Sequence, residues 1–192
     1  MTDNFEDRLN QILPRITSDD FLKGQGLGNE IAFFIFDYPS EEELRVRQHI
    51  DFLMEHDIPR QQPGLSVKHI NLFDFVIEHL KDRNLLDRAI ELQKTRGDEF
   101  LLRHLEKILH PNKLAPLFAE RVQPEETDLV LASGVGSVWP LMRTHTLLNN
   151  LHSVMEQTPL VMFYPGSYDG RALSLFGKIR SDNYYRAFQL IP

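Results

Sequence analysis

Apolar residues along this chain fall into two patterns, short unbroken runs and stripes spaced three and four residues apart. The runs are Ile31-Ala-Phe-Phe-Ile-Phe36, Leu129–Ala132 and Leu160–Tyr164. Unbroken runs of this length, bounded by Gly, Pro, Asp and Ser, predict strands buried on both faces. Val67–Leu72 predicts a further strand with a mixed pattern, and Arg186–Ile191 a last one.

The stripes predict helices between these strands. Phe5, Leu9, Ile12 and Leu13 share one helical face over residues 4–13, with Pro14 closing the element. Ser40 and Glu43 form a capping-box pattern, so a helix is expected from Glu41, carrying Val46, Ile50, Leu53 and Met54 inward and stopping before Pro59. Phe73, Val76, Ile77 and Leu80 mark the next helix. Residues 84–122 read as helical throughout, with breaks at Gly97 and Pro111. A long helix is expected over 137–157, with Pro140 in its first turn, and a short one over 171–178.

Strands separated by helices, with apolar rather than alternating strand patterns, predict an α/β fold. Its sheet is expected to be mostly parallel, of about five strands, and flanked by helices. At 192 residues the whole chain, 1–192, reads as one domain. No internal repeat or low-complexity segment interrupts it.

Composition narrows the classes. The chain is 42% hydrophobic and 26% charged, the balance of a soluble globular protein. No run approaches the roughly 18 apolar residues that cross a bilayer, and the acidic start Met-Thr-Asp-Asn-Phe-Glu-Asp lacks the regions of a signal peptide. Cysteine is absent, which removes disulfides and thiolate chemistry. A cytoplasmic home is expected, with no membrane contact. The net charge is −7: residues 1–127 hold 16 Lys/Arg against 24 Asp/Glu, and residues 128–192 hold 5 against 4. An acidic body disfavours direct DNA contact, whose affinity comes from neutralising phosphates. A DNA-binding module would have to rely on a strip made by Arg171, Lys178, Arg180 and Arg186.

Candidate chemistry concentrates after the third and fourth strands, where open α/β sheets place their sites. Gly24-Gln-Gly-Leu-Gly28 precedes a strand, the wrong side for a phosphate loop. Ser133-Gly134-Val135-Gly136-Ser137 lies between strand and helix and could form an anion nest or a tight capped turn. It has neither the lysine of a triphosphate loop nor the Gly-x-Ser-x-Gly order of a hydrolase elbow. His145 and His152 are two helical turns apart, roughly 10.5 Å, too far to share a metal. Tyr164-Pro-Gly-Ser-Tyr168-Asp169-Gly170 gathers phenols and a carboxylate on what reads as a loop, and Asp37-Tyr38 follows the first strand in the same way. In parallel strands Asp37, Ser133 and Tyr164 share one sheet edge. There Asp37 and Asp169 could hold Mg²⁺ or act as acid and base, or simply stabilise turns. No cofactor is called for by any complete motif.

Several segments in order carry a resemblance: Gly-Leu-Gly-Asn-Glu-Ile (26–31), Phe-Asp-Tyr-Pro (36–39), His-Ile-Asn-Leu-Phe-Asp (69–74) and Gly-Val-Gly-Ser-Val-Trp-Pro (134–140). Arg-Thr-His-Thr-Leu-Leu-Asn-Asn-Leu-His (143–152), Leu-Val-Met-Phe-Tyr-Pro-Gly (160–166) and Asp-Asn-Tyr-Tyr-Arg-Ala-Phe (182–188) follow. Together they resemble the BrxB family, a small component of BREX bacteriophage-exclusion systems. The resemblance implies a role in phage defence beside a methyltransferase, a large ATPase and the phosphatase-like protein PglZ, with PglZ the expected direct partner. It brings no catalytic residues with it. The arrangement also resembles the core of P-loop ATPases, with Asp128-Leu-Val-Leu in the place of the strand that normally bears the Mg²⁺-binding acid, but the phosphate-binding loop is missing and that strand ends in Ala-Ser-Gly rather than in acidic residues.

The sequence therefore points to a non-enzymatic subunit that scaffolds or regulates PglZ and contacts other BREX subunits, and it is compatible with a homo-oligomer. Tyr38, Trp139, Arg143, Tyr164 and Tyr168 are the expected anchors, because aromatic and Arg side chains dominate interface energetics. The alternatives are a nucleotide- or phosphoester-acting enzyme using Asp37, Ser133 and Asp169 around a metal, and the DNA-binding module.

Overall fold

The computed structural model describes residues 4–22, 33–155, 157–181 and 187–192. Helices α1 (Asn4–Asn10), α2 (Ile12–Ile16) and α3 (Asp19–Leu22) precede strand β1 (Phe33–Tyr38). After a 3₁₀ turn (Ser40–Glu42) come α4 (Glu43–Phe52), a π-helical turn (Leu53–Asp57), α5 (Ile58–Gln61) and β2 (Val67–Asn71). Four helices follow: α6 (Leu72–Asp82), α7 (Leu86–Arg96), α8 (Asp98–Glu106) and α9 (Pro111–Val122). The chain then forms β3 (Leu129–Ser133), α10 (Val135–Val138), α11 (Thr144–Leu151) and β4 (Leu160–Tyr168). It ends with β5 (Leu173–Leu175), β6 (Ile179–Ser181) and β7 (Phe188–Gln189).

The sheet runs β2-β3-β4-β1-β7, all pairs parallel, with β5 and β6 added antiparallel beyond β4. It is thus a mixed, seven-stranded sheet rather than five mostly parallel strands. Side-chain alternation divides the core in two. Phe33, Ile35, Val130, Ala132, Leu160 and Met162 face α6 to α11. Phe34, Phe36, Leu129, Leu131, Val161 and Phe163 face α1 to α5. Adjacent residues of each strand point to opposite faces, so the unbroken apolar runs supply both layers at once.

Six local expectations need correction. The first helix breaks at Gln11 and restarts at Ile12, which puts Pro14 in a first turn, where its missing N–H has no helical partner to lose. Ser40 makes no capping hydrogen bond; Glu43 starts α4 and its carboxylate serves other groups. Helical structure continues past Pro59, because the π turn sends the Ile58 N–H back to Leu53 and resets the register before the proline. The helix expected over 137–157 is two helices. Trp139 adopts φ −66°, ψ 135°, the extended geometry that a following proline favours, and the Trp139–Pro140 bond is cis.

The last two corrections reshape the site. Residues 171–178 form no helix. Leu173 and Leu175 are buried to either side of Ser174, the alternation of a strand, and a turn at Phe176-Gly177 (φ 55° and 65°) leads into β6. Likewise Tyr164–Tyr168 is no loop. β4 continues through it, pairing with β1 as far as Tyr38↔Pro165 and then with β5 from Gly166↔Leu175. Gly166 permits the change of partner, since a Cβ there would lie 2.1 Å from the Ser174 carbonyl oxygen. The expected Gly24–Gly28 turn, Ile31-Ala32 and Arg186 lie outside the described residues.

Candidate functional site

The parallel register brings the singled-out residues to the carboxyl edge of the sheet. Asp37 pairs with Tyr164, and Asn71 with Ser133. What each side chain does there follows from its partners.

Asp37 is a structural junction. Its Oδ1 accepts from Arg8 Nη2 at 2.8 Å, and its Oδ2 accepts from the Tyr168 backbone N–H at 3.0 Å. Gln189 Nε2 reaches Oδ1 at 3.4 Å. Asp169 is held separately: it accepts from the backbone N–H groups of Ala172 at 2.7 Å and Arg171 at 2.9 Å. Those donors favour the charged form and hold its carboxyl below the ordinary carboxylate range. The two aspartates thus answer to different donors, one to a side-chain cluster and one to its own turn. Among the described residues no group of three or more His, Asp or Glu is positioned to hold a metal ion.

Tyr38 is buried, and its hydroxyl donates to Glu43 Oε2 at 2.6 Å. Burial, reinforced by the Glu43 carboxylate beside it, pushes the phenol far above its ordinary value. Arg47 Nε donates to Glu43 Oε1 at 2.8 Å, and its Nη2 donates to Ser137 Oγ at 2.8 Å. A single chain of polar contacts therefore joins β1, α4 and the start of α10. Glu43 and Arg47 carry it, one turn apart on α4; sequence reading saw Glu43 only as a capping residue and passed over Arg47.

Ser133 is buried at the end of β3, its Oγ 2.8 Å from His69 Nε2 on β2. Burial lowers the His69 pKa, with the Asp51 and Asp74 carboxylates opposing. Gly134 follows in the left-handed region (φ 76°), and a Cβ there would lie 2.2 Å from Asn71 Oδ1. That oxygen caps α6, accepting from Phe73 N–H at 3.0 Å and Asp74 N–H at 3.4 Å. A Cβ on Gly136 would meet Phe176 Cε1 at 3.0 Å and Pro165 Cγ at 3.1 Å. At both glycines a neighbouring element approaches too closely to leave room for a side chain. His152, also singled out, stacks on Phe33 with ring centroids 4.5 Å apart.

The expected anchors divide. Tyr38, Tyr164 and Tyr168 are buried, at 2%, 4% and 4% exposure, so most of each side chain packs within the fold. Tyr168 also donates its hydroxyl to the Ala187 carbonyl at 2.6 Å. Trp139 is half-buried and Arg143 exposed. These two join Tyr164 along a cleft of about 280 Å³, closed on its other side by Leu173, Leu175 and Arg180 of the β5–β6 hairpin. That hairpin was missed because residues 171–178 read as helical, although Leu-Ser-Leu followed by Phe-Gly was a usable strand-and-turn signal.

A family model described as "BREX protein BrxB" matches residues 68–190. A BREX protein BrxB of Bacillus cereus (strain H3081.97) is 42% identical over 189 residues, covering 96% of this chain and 96% of the relative. One from Escherichia coli O9:H4 (strain HS) is 42% identical over 187 residues, covering 97% and 92%. No solved structure matches the fold. The motifs that crowd the carboxyl edge of the sheet thus stand within a nearly full-length similarity, and the chain belongs to the BrxB family of BREX proteins.

Proposed function

We propose that this chain is a non-catalytic subunit of a BREX antiphage complex that binds the phosphatase-like PglZ protein and scaffolds or regulates it. One observation carries the reading: polar groups at the edge where an open α/β sheet holds its chemistry are engaged in joining elements. Asp37 receives Arg8, Tyr168 and Gln189; Ser133 meets His69; Asp169 closes its own turn. The half-buried Trp139 and exposed Arg143 beside a cleft support recognition of a protein partner instead. The strand order, with β1 between β4 and β7, supports a core on the plan of P-loop ATPases. The segment after β1, Pro39-Ser40-Glu41-Glu42, has none of the glycines of a phosphate loop.

The test is co-expression with PglZ, followed by affinity capture and a nucleotide and Mg²⁺ thermal-shift series. Retention of PglZ with a melting point indifferent to nucleotide and metal is expected. A nucleotide- or Mg²⁺-dependent rise would favour an enzyme or nucleotide sensor.

A hydrolytic reading has one observation in its favour, the Ser133–His69 contact at 2.8 Å, with the His69 pKa lowered by burial. Ser133 is 5% exposed, which leaves its hydroxyl little room for a substrate. Labelling of Ser133 by a fluorophosphonate, lost in His69→Gln, would establish it.

A further inference from the structure

We infer that the trench around Trp139 and Arg143 is a docking groove for an acidic segment of a partner protein, anchored by an apolar side chain. This deepens the partner-binding reading and rests on it. The linker between α10 and α11 separates two clefts. One, of about 280 Å³, lies against the β5–β6 hairpin. The other, of about 550 Å³, lies against the end of α8 and the start of α9. Trp139 and Arg143 line both, so the two clefts adjoin across these side chains and together make the trench.

Its lining is apolar and its rim is cationic. Leu173 and Leu175 lie buried in one arm, Leu109 and Met142 in the other. Ile179 is 36% exposed at one lip. Among the described residues, the charged side chains lining the trench are Arg103, Arg143 and Arg180 against Glu106. On a chain of net charge −7 this is a local reversal of sign. A groove with an apolar lining and cationic lips complements a segment that carries both acid and an aliphatic or aromatic residue. Nucleic acid fits less well. Its affinity grows with the number of phosphates neutralised, and three arginines set in an otherwise acidic molecule offer few.

The test uses the full chain and immobilised overlapping peptides tiling the other subunits of its BREX system, with intact PglZ captured in parallel. Bound peptides are expected to be net acidic and to contain a large apolar residue. Their binding should fall with added salt. Arg143→Glu with Arg180→Glu should weaken it about tenfold. Ile179→Asp, at the lip, should weaken the same peptides, while Arg88→Glu on α7 should bind as the parent does. Matching unfolding curves establish that the variants fold.

The inference is overturned by absence of any bound peptide, by bound peptides without acidic character, or by binding indifferent to both sets of trench variants. Binding of single-stranded DNA with the same arginine dependence overturns it too. Capture of PglZ reports separately. If the parent and trench variants retain it equally, the partner stands and the groove falls. If the parent fails to retain it while acidic peptides of another subunit bind through the arginines, the groove stands and the PglZ assignment falls.

Discussion

Arg8 and Asp37 lock the amino-terminal helix to the carboxyl end of β1. Arg8 Nη2 donates to Asp37 Oδ1 at 2.8 Å and Nη1 donates to the Asp37 carbonyl at 3.0 Å. The same guanidinium lies 5.0 Å over the Phe36 ring and donates to the Ile191 carbonyl at 3.1 Å. One side chain thus holds α1, β1 and the last residues together, on the edge where sequence reading had entertained a metal carboxylate.

Replacing Asp37 by Ala leaves the Arg8 guanidinium, 19% exposed, without its counter-charge and frees the Tyr168 N–H. A loss of about 3 kcal/mol is expected in urea unfolding. Asp37→Asn, which keeps an acceptor, should cost less, and a double-mutant cycle with Arg8→Ala should show strong coupling. Additive single effects would remove Asp37 from this role.

Tyr168→Ala empties a buried site and removes the bond to Ala187, so about 3–5 kcal/mol is expected from chemical unfolding. Tyr168→Phe keeps the ring and should cost about 1 kcal/mol. A Tyr168→Ala protein as stable as the parent would return this residue to the surface.

Gly134→Ala should destabilise by more than about 2 kcal/mol, since it forces a left-handed conformation and drives a Cβ into the Asn71 cap. Calorimetry should show a lowered melting temperature. Gly64→Ala, whose new Cβ would meet nothing within 4 Å, is the control.

His49, His69 and His79 all have pKa values lowered from 6.5, in each case chiefly by burial. The folded protein therefore binds these protons more weakly than the unfolded chain does. The stability this represents is complete above about pH 6.5 and is lost as pH falls through the folded values. Urea midpoints should drop between pH 7.5 and 5.5, and His69→Gln should flatten the drop. A midpoint that rises on acidification over this range would contradict the assignment.

Arg47 offers the contrast. Its bonds to Glu43 and Ser137 are made by a side chain 45% exposed, where solvent screens the charge. Arg47→Ala should change stability by less than about 1 kcal/mol. A much larger loss in urea unfolding would show that the α4–α10 link carries the fold.

Much of the fold was legible because its signals are local. Ile35, Leu131 and Val161 lie in apolar runs whose pattern marks doubly buried strands without reference to anything distant. Val76 and Leu80 likewise mark the inner face of α6 by their spacing, although Phe75 rather than Phe73 or Ile77 completes its buried side. Errors arose where local signals compete. Pro14 and Pro59 punctuate a sequence, yet each sits in a helical first turn once the preceding turn resets the register. Tyr164–Tyr168 carries loop residues but remains a strand, because β5 supplies its partner after Gly166.

The sequence by itself determined the family and the α/β class, because motif order and apolar periodicity are properties of the chain alone. Only the tertiary structure decided which polar residues were available. Asp37 is engaged by Arg8, 29 residues away, and by Gln189, 152 residues away, and Ser133 is met by His69 across 64. Hydrogen-bond partners at such separations leave no trace in local pattern. The same holds for Tyr164, buried beneath a hairpin that follows it, and for the cleft that the hairpin forms with Trp139 and Arg143.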